Sequence, residues 1–332
     1  MSPAVASSPV LSVVVVTYRR ADLLEPCLES LERALDEAGE QSELLVIDTG
    51  SQPAAAGLMQ ARFPRWTLVP SENVGFAGAV SLALERTAGE WFALFNDDVT
   101  VEPPALKRLL EVGRQSADIG SVAPQIRFAS RRDTINSAGI EVDRLGMACD
   151  RLLDLPAASS ETEPTDVFGP SGGAALYRRA MLDDVGGFDA SFFAYLEDVD
   201  VAWRAQMRGW RSVYAPSSVV YHHHSASFEH GSSLKHFLVG RNRVLLVAKN
   251  ADGNQLLRYG VAMAGYDLAH ATFVAVTQRT LAPLRGLLSG LAAWRRYRAM
   301  WPGRRPVPLA RVKGFRAALR RHRAWPNQAS GG

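Results

Sequence analysis

One segment organises this sequence, and it reads Gly186-Gly-Phe-Asp-Ala-Ser-Phe-Phe-Ala-Tyr-Leu-Glu-Asp-Val-Asp-Val-Ala-Trp-Arg204. Its second half predicts a helix over 199–207 that ends at Gly209, because glycine is the usual residue just past a helix C-terminus. Glu197 and Asp198 then lie where this helix begins, directly after an aromatic run. Free backbone N–H groups at a helix start stabilise acidic side chains. Capping of this helix by Asp198 or Asp200 is therefore the alternative to a chemical role.

Three apolar runs in the first hundred residues predict buried strands, at 10–16, 44–47 and 91–95. A helix that begins at a capping Asp22 separates the first two, so this part of the chain is typical of a parallel α/β unit. Such sheets bind ligands beyond the carboxyl ends of their strands. The Gly-x-Gly-x-x-Gly and Gly-x-x-x-x-Gly-Lys patterns are absent at this place, which argues against a dehydrogenase and a P-loop enzyme.

The second half of the chain predicts further strands at 174–177, 211–214 and 219–221, followed by a helix over 235–249. The segment 128–164 has no clear hydrophobic period, so we expect loops or a small hairpin there.

Asn96-Asp97-Asp98 follows the third predicted strand. Oxygen ligands delivered from a strand end suit a hard divalent cation, which binds carboxylates and diphosphate oxygens together. A polar turn is the structural alternative. Three histidines, 222–224, follow a later strand, but successive strand side chains point to opposite faces. They cannot all bind one ion, so a zinc cluster is not expected.

Gly75 and Gly78 lie at the start of a predicted helix that runs to about Arg86. Glycines allow the backbone to approach a ligand closely, and a helix N-terminus favours a phosphate. Tight packing of the helix is the alternative explanation.

Basic charge is concentrated at the C-terminus. The net charge is +3, yet the last 52 residues hold eleven Arg and one Lys with no acidic residue, which leaves 25 basic and 34 acidic residues before them. Such a division indicates a polyanionic partner, either a membrane surface or a nucleic acid. The helical region 256–294 is apolar but interrupted by charges, which fits an interfacial helix better than a membrane span.

The segment 186–204 resembles the acceptor-side block of the inverting family 2 glycosyltransferases. The resemblance extends from about residue 11 to residue 250, and four motifs occur in matching order. It implies the GT-A fold, which is an α/β, Rossmann-like, mostly parallel sheet flanked by helices, here with a C-terminal helical extension. It also implies a metal-dependent transfer in which an Asp acts as the catalytic base.

The resemblance assigns roles to individual residues. Asp198 is the expected catalytic base. Asp98 and His222 are the expected ligands of Mg²⁺ or Mn²⁺, with His224 left open as an alternative to His222. Nucleotide-sugar contacts are expected from Thr17, Tyr18, Arg19, Asp48, Asn73, Gly75, Phe76, Asn96, Asp97 and Arg241. Acceptor contacts are expected from Gly172, Gly173 and Glu197.

Physical chemistry supports three of these assignments. The Asp48 carboxylate suits the N3–H of a uracil or thymine ring, because it accepts hydrogen bonds. Arg241 can grip a diphosphate with two parallel hydrogen bonds, although it could equally pair with a surface carboxylate. Arg19 stands where the family commonly has Asn, so its role is open.

We expect a disordered lead over 1–9 without a secretory signal. A catalytic domain is predicted over 10–250, with a nucleotide-sugar half at about 10–127 and an acceptor half at about 165–250. A basic, membrane-associating helical extension is expected over 251–332. Two cysteines, Cys27 and Cys149, give no disulfide framework and indicate a reducing compartment.

The expected function is transfer of a sugar from a nucleotide diphosphate sugar to a glycan or lipid-linked acceptor in bacterial cell-surface polysaccharide synthesis. The preferred donor is dTDP-rhamnose and the alternative is a UDP-sugar. We expect a cytoplasmic enzyme at the anionic inner face of the cell membrane, with homo-oligomers left open. A nucleotidyltransferase or a nucleic-acid-binding protein is the alternative, but the acidic core argues against a nucleic-acid partner.

Overall fold

The structure is a computed structural model that describes residues 9–51, 55–223 and 232–312, and these form a mixed sheet with helices on both faces. The described strands are β1 (Leu11–Thr17), β2 (Ser42–Asp48), β3 (Thr67–Pro70), β4 (Trp91–Asn96), β5 (Val99–Val101), β6 (Ile119–Phe128), β7 (Arg131–Ser137), β8 (Ile140–Val142), β9 (Ala148–Asp150), β10 (Thr165–Val167), β11 (Ala174–Arg178) and β12 (Arg211–His222). The described helices are α1 (Ala21–Ala38), α2 (Ala56–Arg62), α3 (Gly75–Arg86), α4 (Ala105–Gly113), α5 (Arg179–Val185), α6 (Glu197–Arg208), α7 (Ser233–Asn250), α8 (Gly253–Thr277) and α9 (Ala282–Met300).

The strand order in the large sheet is β10-β12-β6-β11-β4-β1-β2-β3, with β5 added to β12 and β7 to β6. The half made of β3, β2, β1 and β4 is parallel. Strand β11 lies antiparallel between β4 and β6 and joins this half to the second one. These features confirm the predicted α/β sheet flanked by helices. The segment without a clear period forms β7 and the separate β8–β9 hairpin.

Strand β1 is buried on both faces, which explains its continuous apolar sequence. Val13 and Val15 pack in the cluster that includes α1 and α4, whereas Val14 and Val16 pack in the cluster that includes α3 and α5. Parallel strands covered on both sides carry such β-branched runs. The carboxyl ends of β1 and β4 are thereby fixed side by side.

Two local predictions were wrong. Asp22 does not cap α1: the capping position is held by Arg20, whose guanidinium donates two hydrogen bonds to the Asp22 carboxylate, at 2.9 and 2.8 Å. The two strands predicted after Gly209 are one strand, β12. Its pairing with β6 shifts register between Ala215 and Val219, and this irregularity interrupts the sequence pattern.

Helix α9 packs closely along α7. A Cβ atom on Gly240 would lie 2.6 Å from the Pro283 carbonyl oxygen, and one on Gly290 would lie 2.7 Å from the Val244 Cβ, so both positions require glycine. Tyr297 of α9 is 5% exposed and belongs to the cluster that contains α6 and α7. Helix α9, in the region after residue 250, thus shares a hydrophobic core with α6 and α7. Among the described residues, no helix is both long enough and apolar enough to cross a bilayer.

Candidate active site

A cavity of about 890 Å³ opens at the carboxyl ends of β1 and β4. Its wall also includes the start of α3, the β8–β9 hairpin, the start of α6, and residues of α7 and α8. Twelve of the sixteen predicted site residues line it, namely Tyr18, Asn73, Gly75, Phe76, Asn96, Asp97, Asp98, Gly172, Gly173, Glu197, Asp198 and His222. The folded chain therefore brings residues from distant parts of the sequence to one place.

Asp198, the expected base, is held by two backbone N–H groups. Its Oδ2 accepts a hydrogen bond from the Gly172 nitrogen and its Oδ1 accepts one from the Val199 nitrogen, both at 2.8 Å. Burial raises the pKa of Asp198, although these hydrogen bonds oppose the shift. A carboxylate with a raised pKa and a fixed orientation is suited to accept a proton.

Glu197, beside it in the sequence, has a different environment. Its side chain is buried, and among the described residues Oε2 has no hydrogen-bond partner. Burial, together with the charge of Asp198, raises the pKa of Glu197 to about 8. The raised pKa favours the protonated form of Glu197, which can donate a hydrogen bond. Two neighbouring carboxyl groups in different protonation states can divide acid and base tasks.

The loop that precedes this pair is strained and tightly held. Phe193, Tyr195 and Leu196 all have φ between +64° and +72°, a conformation that costs energy for residues other than glycine. The Asn242 side chain compensates: its Nδ2 donates to the carbonyl oxygens of Phe192, Ala194 and Tyr195, each at 2.8 Å. Asn242 is a positioning residue that the sequence reasoning missed.

Arg241 does not line the cavity. Its guanidinium donates to the carbonyl oxygens of Ser191, at 3.0 Å, and Phe192, at 2.9 Å. In this structure Arg241 therefore supports the same loop as Asn242, which does not favour the expected grip on a diphosphate.

Asp200 fixes the helix that carries the carboxyl pair. The residue is fully buried and forms ion pairs with Arg204, at 2.7 Å, and with Lys249, at 2.9 Å. Burial alone would raise the pKa of Asp200, but these two cations, with a hydrogen bond from Asn250, lower it to about 2. The residue before the helix is Leu196, which makes no side-chain cap. Asp200 is thus a structural ion-pair residue rather than a cap.

Asp97 ties β4 to β1. Its Oδ2 accepts hydrogen bonds from the Thr17 hydroxyl, at 2.7 Å, and from the Tyr18 nitrogen, at 3.2 Å. Burial raises the pKa of Asp97 to about 7, the Thr17 hydrogen bond opposes the shift, and the neighbouring Asp98 adds to it. Thr17 is buried and does not line the cavity, and its hydroxyl contacts the site through Asp97.

Asp98 and His222 form a pair that suits a metal ion. The His222 Nε2 lies 3.2 Å from Asp98 Oδ2, and its Nδ1 lies 2.9 Å from the Asn136 Oδ1. An Nδ1–H donated to Asn136 leaves the Nε2 lone pair directed at the carboxylate, as a metal ligand requires. Burial lowers the pKa of His222, but nearby Asp98 outweighs it and the pKa is raised. Asn136 carried no signal in the sequence.

The donor set fits Mg²⁺ or Mn²⁺ with help from a substrate. A carboxylate and an imidazole are acceptable ligands for Mn²⁺. The nearby Asn96 Oδ1 is buried and makes no hydrogen bond to any described residue. No group of three His, Cys, Asp or Glu residues converges within the described ranges. Diphosphate oxygens and water would therefore have to complete the coordination. His224 lies outside the described residues.

Two further expected nucleotide contacts lie outside the cavity wall. Asp48 accepts hydrogen bonds from its own turn, from the nitrogens of Gly50 and Ser51 at 3.0 and 2.7 Å and from the Ser51 hydroxyl at 2.6 Å. Thr49 lines the cavity instead. The Arg19 guanidinium lies over the Tyr18 ring, 5.0 Å from its centre. Neither side chain contacts the cavity in this structure.

The start of α3 packs against the loop before α6. The Ala77 nitrogen donates to the Phe193 carbonyl oxygen at 3.0 Å, and a Cβ on Gly75 would lie 2.6 Å from Phe193 Cδ2. The Asn73 side chain accepts a hydrogen bond from the Gly75 nitrogen at 3.1 Å. Close packing therefore requires Gly75, and the residue lines the cavity as well.

The part of the cavity wall formed by the β8–β9 region contains acidic residues that the sequence reasoning did not identify. Glu141, Asp143 and Asp150 of the β8–β9 region line it. Burial raises the pKa of Asp150 to about 6, a hydrogen bond from Ser137 opposes the shift, and the charge of Asp198 adds to it. No sequence signal marked these residues, because their segment has no regular period.

Two family models match the chain. "Glycosyl transferase family 2" covers residues 12–186 and "Glycosyl transferase family group 2" covers residues 147–325. An N-acetylglucosaminyl-diphospho-decaprenol L-rhamnosyltransferase of Mycobacterium tuberculosis is 32% identical over 66% of this chain and 77% of its own length. The O-antigen biosynthesis protein RfbC of Myxococcus xanthus is 26% identical over 67% of this chain and 18% of its own length.

Solved structures share the fold at low identity. GalNAc-T7 with UDP, GalNAc and Mn²⁺ has a TM-score of 0.61 at 14% identity, over 88% of this chain and 58% of that chain. TarS of S. aureus in complex with UDP-GlcNAc has a TM-score of 0.56 at 17% identity, over 86% of this chain and 81% of that chain. Mannosyltransferase PcManGT from Pyrobaculum calidifontis has a TM-score of 0.51 at 19% identity, over 96% of this chain and 80% of that chain. These likenesses agree with the GT-A architecture of the sheet.

Proposed function

The chain belongs to glycosyl transferase family 2, and from this membership we propose that it transfers a sugar, with inversion, from a nucleotide diphosphate sugar to a hydroxyl group of a glycan or lipid-linked acceptor. The observation that carries the proposal is the cavity that brings the oriented Asp198 carboxylate together with the pair formed by Asp98 and His222. Such a site has a base for the acceptor and a place for the diphosphate.

Asp198 removes the proton from the attacking acceptor hydroxyl. The hydrogen bonds from Gly172 and Val199 fix the carboxylate, which limits the positions in which the acceptor can react. Attack on the sugar from the face opposite the leaving diphosphate inverts the anomeric centre. The raised pKa of Glu197 favours its protonated form, which would donate a hydrogen bond to a sugar hydroxyl without adding negative charge beside the base.

Asp98 and His222 would hold a divalent cation, with Asn136 orienting the imidazole. When bound, the cation supplies positive charge that stabilises the departing diphosphate. Asn96 and Asp97 line the cavity, as do Asn73 and Phe76 near the start of α3, and these residues would contact the donor. Gly172 and Gly173 line it as well and would contact the acceptor.

We propose dTDP-rhamnose as the donor, because the relative with 32% identity is a rhamnosyltransferase. A UDP-sugar is the alternative. The acceptor would be a lipid-linked glycan for a bacterial cell-surface polysaccharide, since that relative's name contains a sugar joined to a lipid through diphosphate. An enzyme with this acceptor would work at the cytoplasmic face of the membrane, as a peripheral protein.

The experiment compares dTDP-rhamnose, UDP-N-acetylglucosamine and GDP-mannose with Mn²⁺. Thermal stabilisation ranks donor binding, and transfer to a synthetic N-acetylglucosaminyl-diphospho-lipid is followed by mass spectrometry. We expect a rhamnosylated product and the greatest thermal stabilisation with dTDP-rhamnose. Transfer from GDP-mannose alone would contradict the donor assignment, and no transfer from any donor would contradict the acceptor class.

A further inference from the structure

Helix α8 exposes an apolar stripe along its length. Leu257 is 86% exposed, Val261 91%, Leu268 57% and Val276 73%. A helix turns by about 100° per residue, so these four side chains lie within roughly 100° of one another on one side. A row of large apolar side chains in water is costly, which indicates that another surface covers it.

The other side of the same helix lines the active-site cavity. Ala262, Tyr266 and His270 face the cavity, at intervals of four residues. By the same helical rotation they lie roughly 140° from the centre of the apolar stripe. Helix α8 is therefore a wall one helix thick, with the cavity on one side and the exposed apolar stripe on the other.

Helix α9 contacts α8, and it also exposes large apolar side chains and arginines. Leu281, Leu288 and Leu291 are 58%, 67% and 57% exposed. Three of its arginines are also exposed, namely Arg285, Arg295 and Arg296. We call the exposed residues of these two helices the α8–α9 face.

The α8–α9 face carries no exposed carboxylate. Asp267 is the one acidic residue between 253 and 312. Its side chain is 14% exposed and lies 3.3 Å from the Arg243 Nε in an ion pair that faces inward. The face thus combines large apolar side chains with uncompensated positive charge.

We propose that the α8–α9 face inserts its apolar side chains into the headgroup region of an anionic membrane, so that α8 separates the bilayer from the cavity. The proposal deepens the proposed function, because an acceptor anchored in that bilayer by its lipid would then have its sugar end within one helix width of the cavity. Amphipathic helices with basic and large apolar residues bind membranes in this way. A second copy of the chain suits the face less well, since a two-fold contact would bring the same arginines together.

The test is flotation of the full chain with vesicles of phosphatidylcholine alone and of phosphatidylcholine and phosphatidylglycerol at a ratio of about 7:3. The variants are Leu257→Glu and Val261→Glu, each of which adds one charge at an exposed position outside the cavity. The matched control is Leu155→Glu, because Leu155 is 45% exposed and lies outside α8 and α9. Thermal unfolding checks that all variants are folded.

We expect the unmodified chain to bind the anionic vesicles. Each α8 variant should bind about tenfold or more weakly, the size expected for removing one large apolar side chain from an apolar environment. Leu155→Glu should bind normally, and Arg295→Gln with Arg296→Gln should reduce the preference for phosphatidylglycerol. Equal binding by Leu257→Glu and Leu155→Glu, or no binding by the unmodified chain, would overturn the proposal. So would a dimer that Leu257→Glu dissociates without changing vesicle binding.

Transfer assays with two acceptors distinguish a failure of this inference from a failure of the proposed function. Leu257→Glu should transfer sugar normally to a short, water-soluble acceptor and poorly to a long-chain acceptor embedded in vesicles. If the unmodified chain transfers sugar to neither acceptor, the proposed function is wrong, while flotation still decides the membrane surface. If Leu257→Glu uses both acceptors normally, the membrane surface is not the route of the acceptor.

Discussion

The Asp198 Oδ2 lies 2.8 Å from the backbone nitrogen of Gly172, which donates a hydrogen bond to it. Gly172 precedes β11 and Asp198 lies in the first turn of α6. The bond therefore joins two residues that are 26 positions apart in sequence. Because the Val199 nitrogen donates to the other oxygen, the carboxylate has one fixed orientation towards the cavity.

Replacing this carboxylate tests its role as the base. Asp198→Asn keeps an oxygen that can accept the Gly172 hydrogen bond but cannot take a proton from the acceptor. We expect the transfer rate to fall by about 10²–10⁴-fold, the contribution typical of a general base. Donor affinity, measured by calorimetry, should stay nearly unchanged. The exposed carboxylate Asp133 provides the control Asp133→Asn, and unchanged turnover in Asp198→Asn would remove Asp198 from the mechanism.

Asn136 should tune metal affinity without contacting the metal. Asn136→Ala removes the partner of the His222 Nδ1, so the imidazole loses its fixed orientation. Loss of such a supporting contact typically weakens metal binding by about 10–100-fold. The concentration of Mn²⁺ that gives half-maximal activity should rise accordingly, whereas Asn136→Asp, which retains an acceptor oxygen, should restore most of the affinity. Full activity of the unmodified enzyme in excess EDTA would show that this pair binds no required metal.

Asn242 should control both stability and turnover. Asn242→Ala removes a donor shared by three carbonyl oxygens in the loop before α6; Phe192 keeps its hydrogen bond from Arg241, whereas Ala194 and Tyr195 lose this donor. We expect the free energy of unfolding to fall by about 1–3 kcal/mol, as for other buried polar groups left without a partner. The rate of transfer should fall more than donor affinity. Asn254→Ala, at an exposed position in α8, is the control, and equal unfolding midpoints for the two variants would contradict this role.

The protonation state of Glu197 should appear in the pH dependence of stability. Its pKa is raised in the folded protein from an ordinary 4.5 to about 8. Between these values the folded state holds a proton that the unfolded state has released, so this residue makes stability fall as the pH rises from 4.5 to 8. Glu197→Gln removes that dependence. Relative to the unmodified protein, the variant should therefore gain stability as the pH rises through this window in denaturant titrations, and parallel pH profiles would contradict the raised pKa.

The sequence predicted the sheet well because the sheet depends on local patterns. The β-branched run of β1 needs burial on both faces wherever it lies. Twelve of the sixteen predicted site residues line one cavity, and four of them, Tyr18, Asn96, Asp97 and Asp98, lie at or just beyond the carboxyl ends of β1 and β4, which are side by side in the parallel half of the sheet.

Contacts between segments that are distant in sequence could not be predicted from local sequence patterns. Asn136 and Asn242 look like ordinary polar residues in sequence, and their roles arise from partners 86 and up to 50 residues away. Arg241 was expected at a phosphate, yet the backbone carbonyl oxygens of the loop before α6 are its partners here.

By itself, the sequence determined the alternation of strands and helices and the order of the polar motifs, since periodicity and residue chemistry act over a few neighbouring positions. Only the tertiary structure decided which carboxyl groups have raised pKa values and which residues hold the loop before α6. Those properties depend on burial and on hydrogen bonds between remote segments. For the same reason, only the fold shows that α8 has a cavity on one side and an apolar stripe on the other.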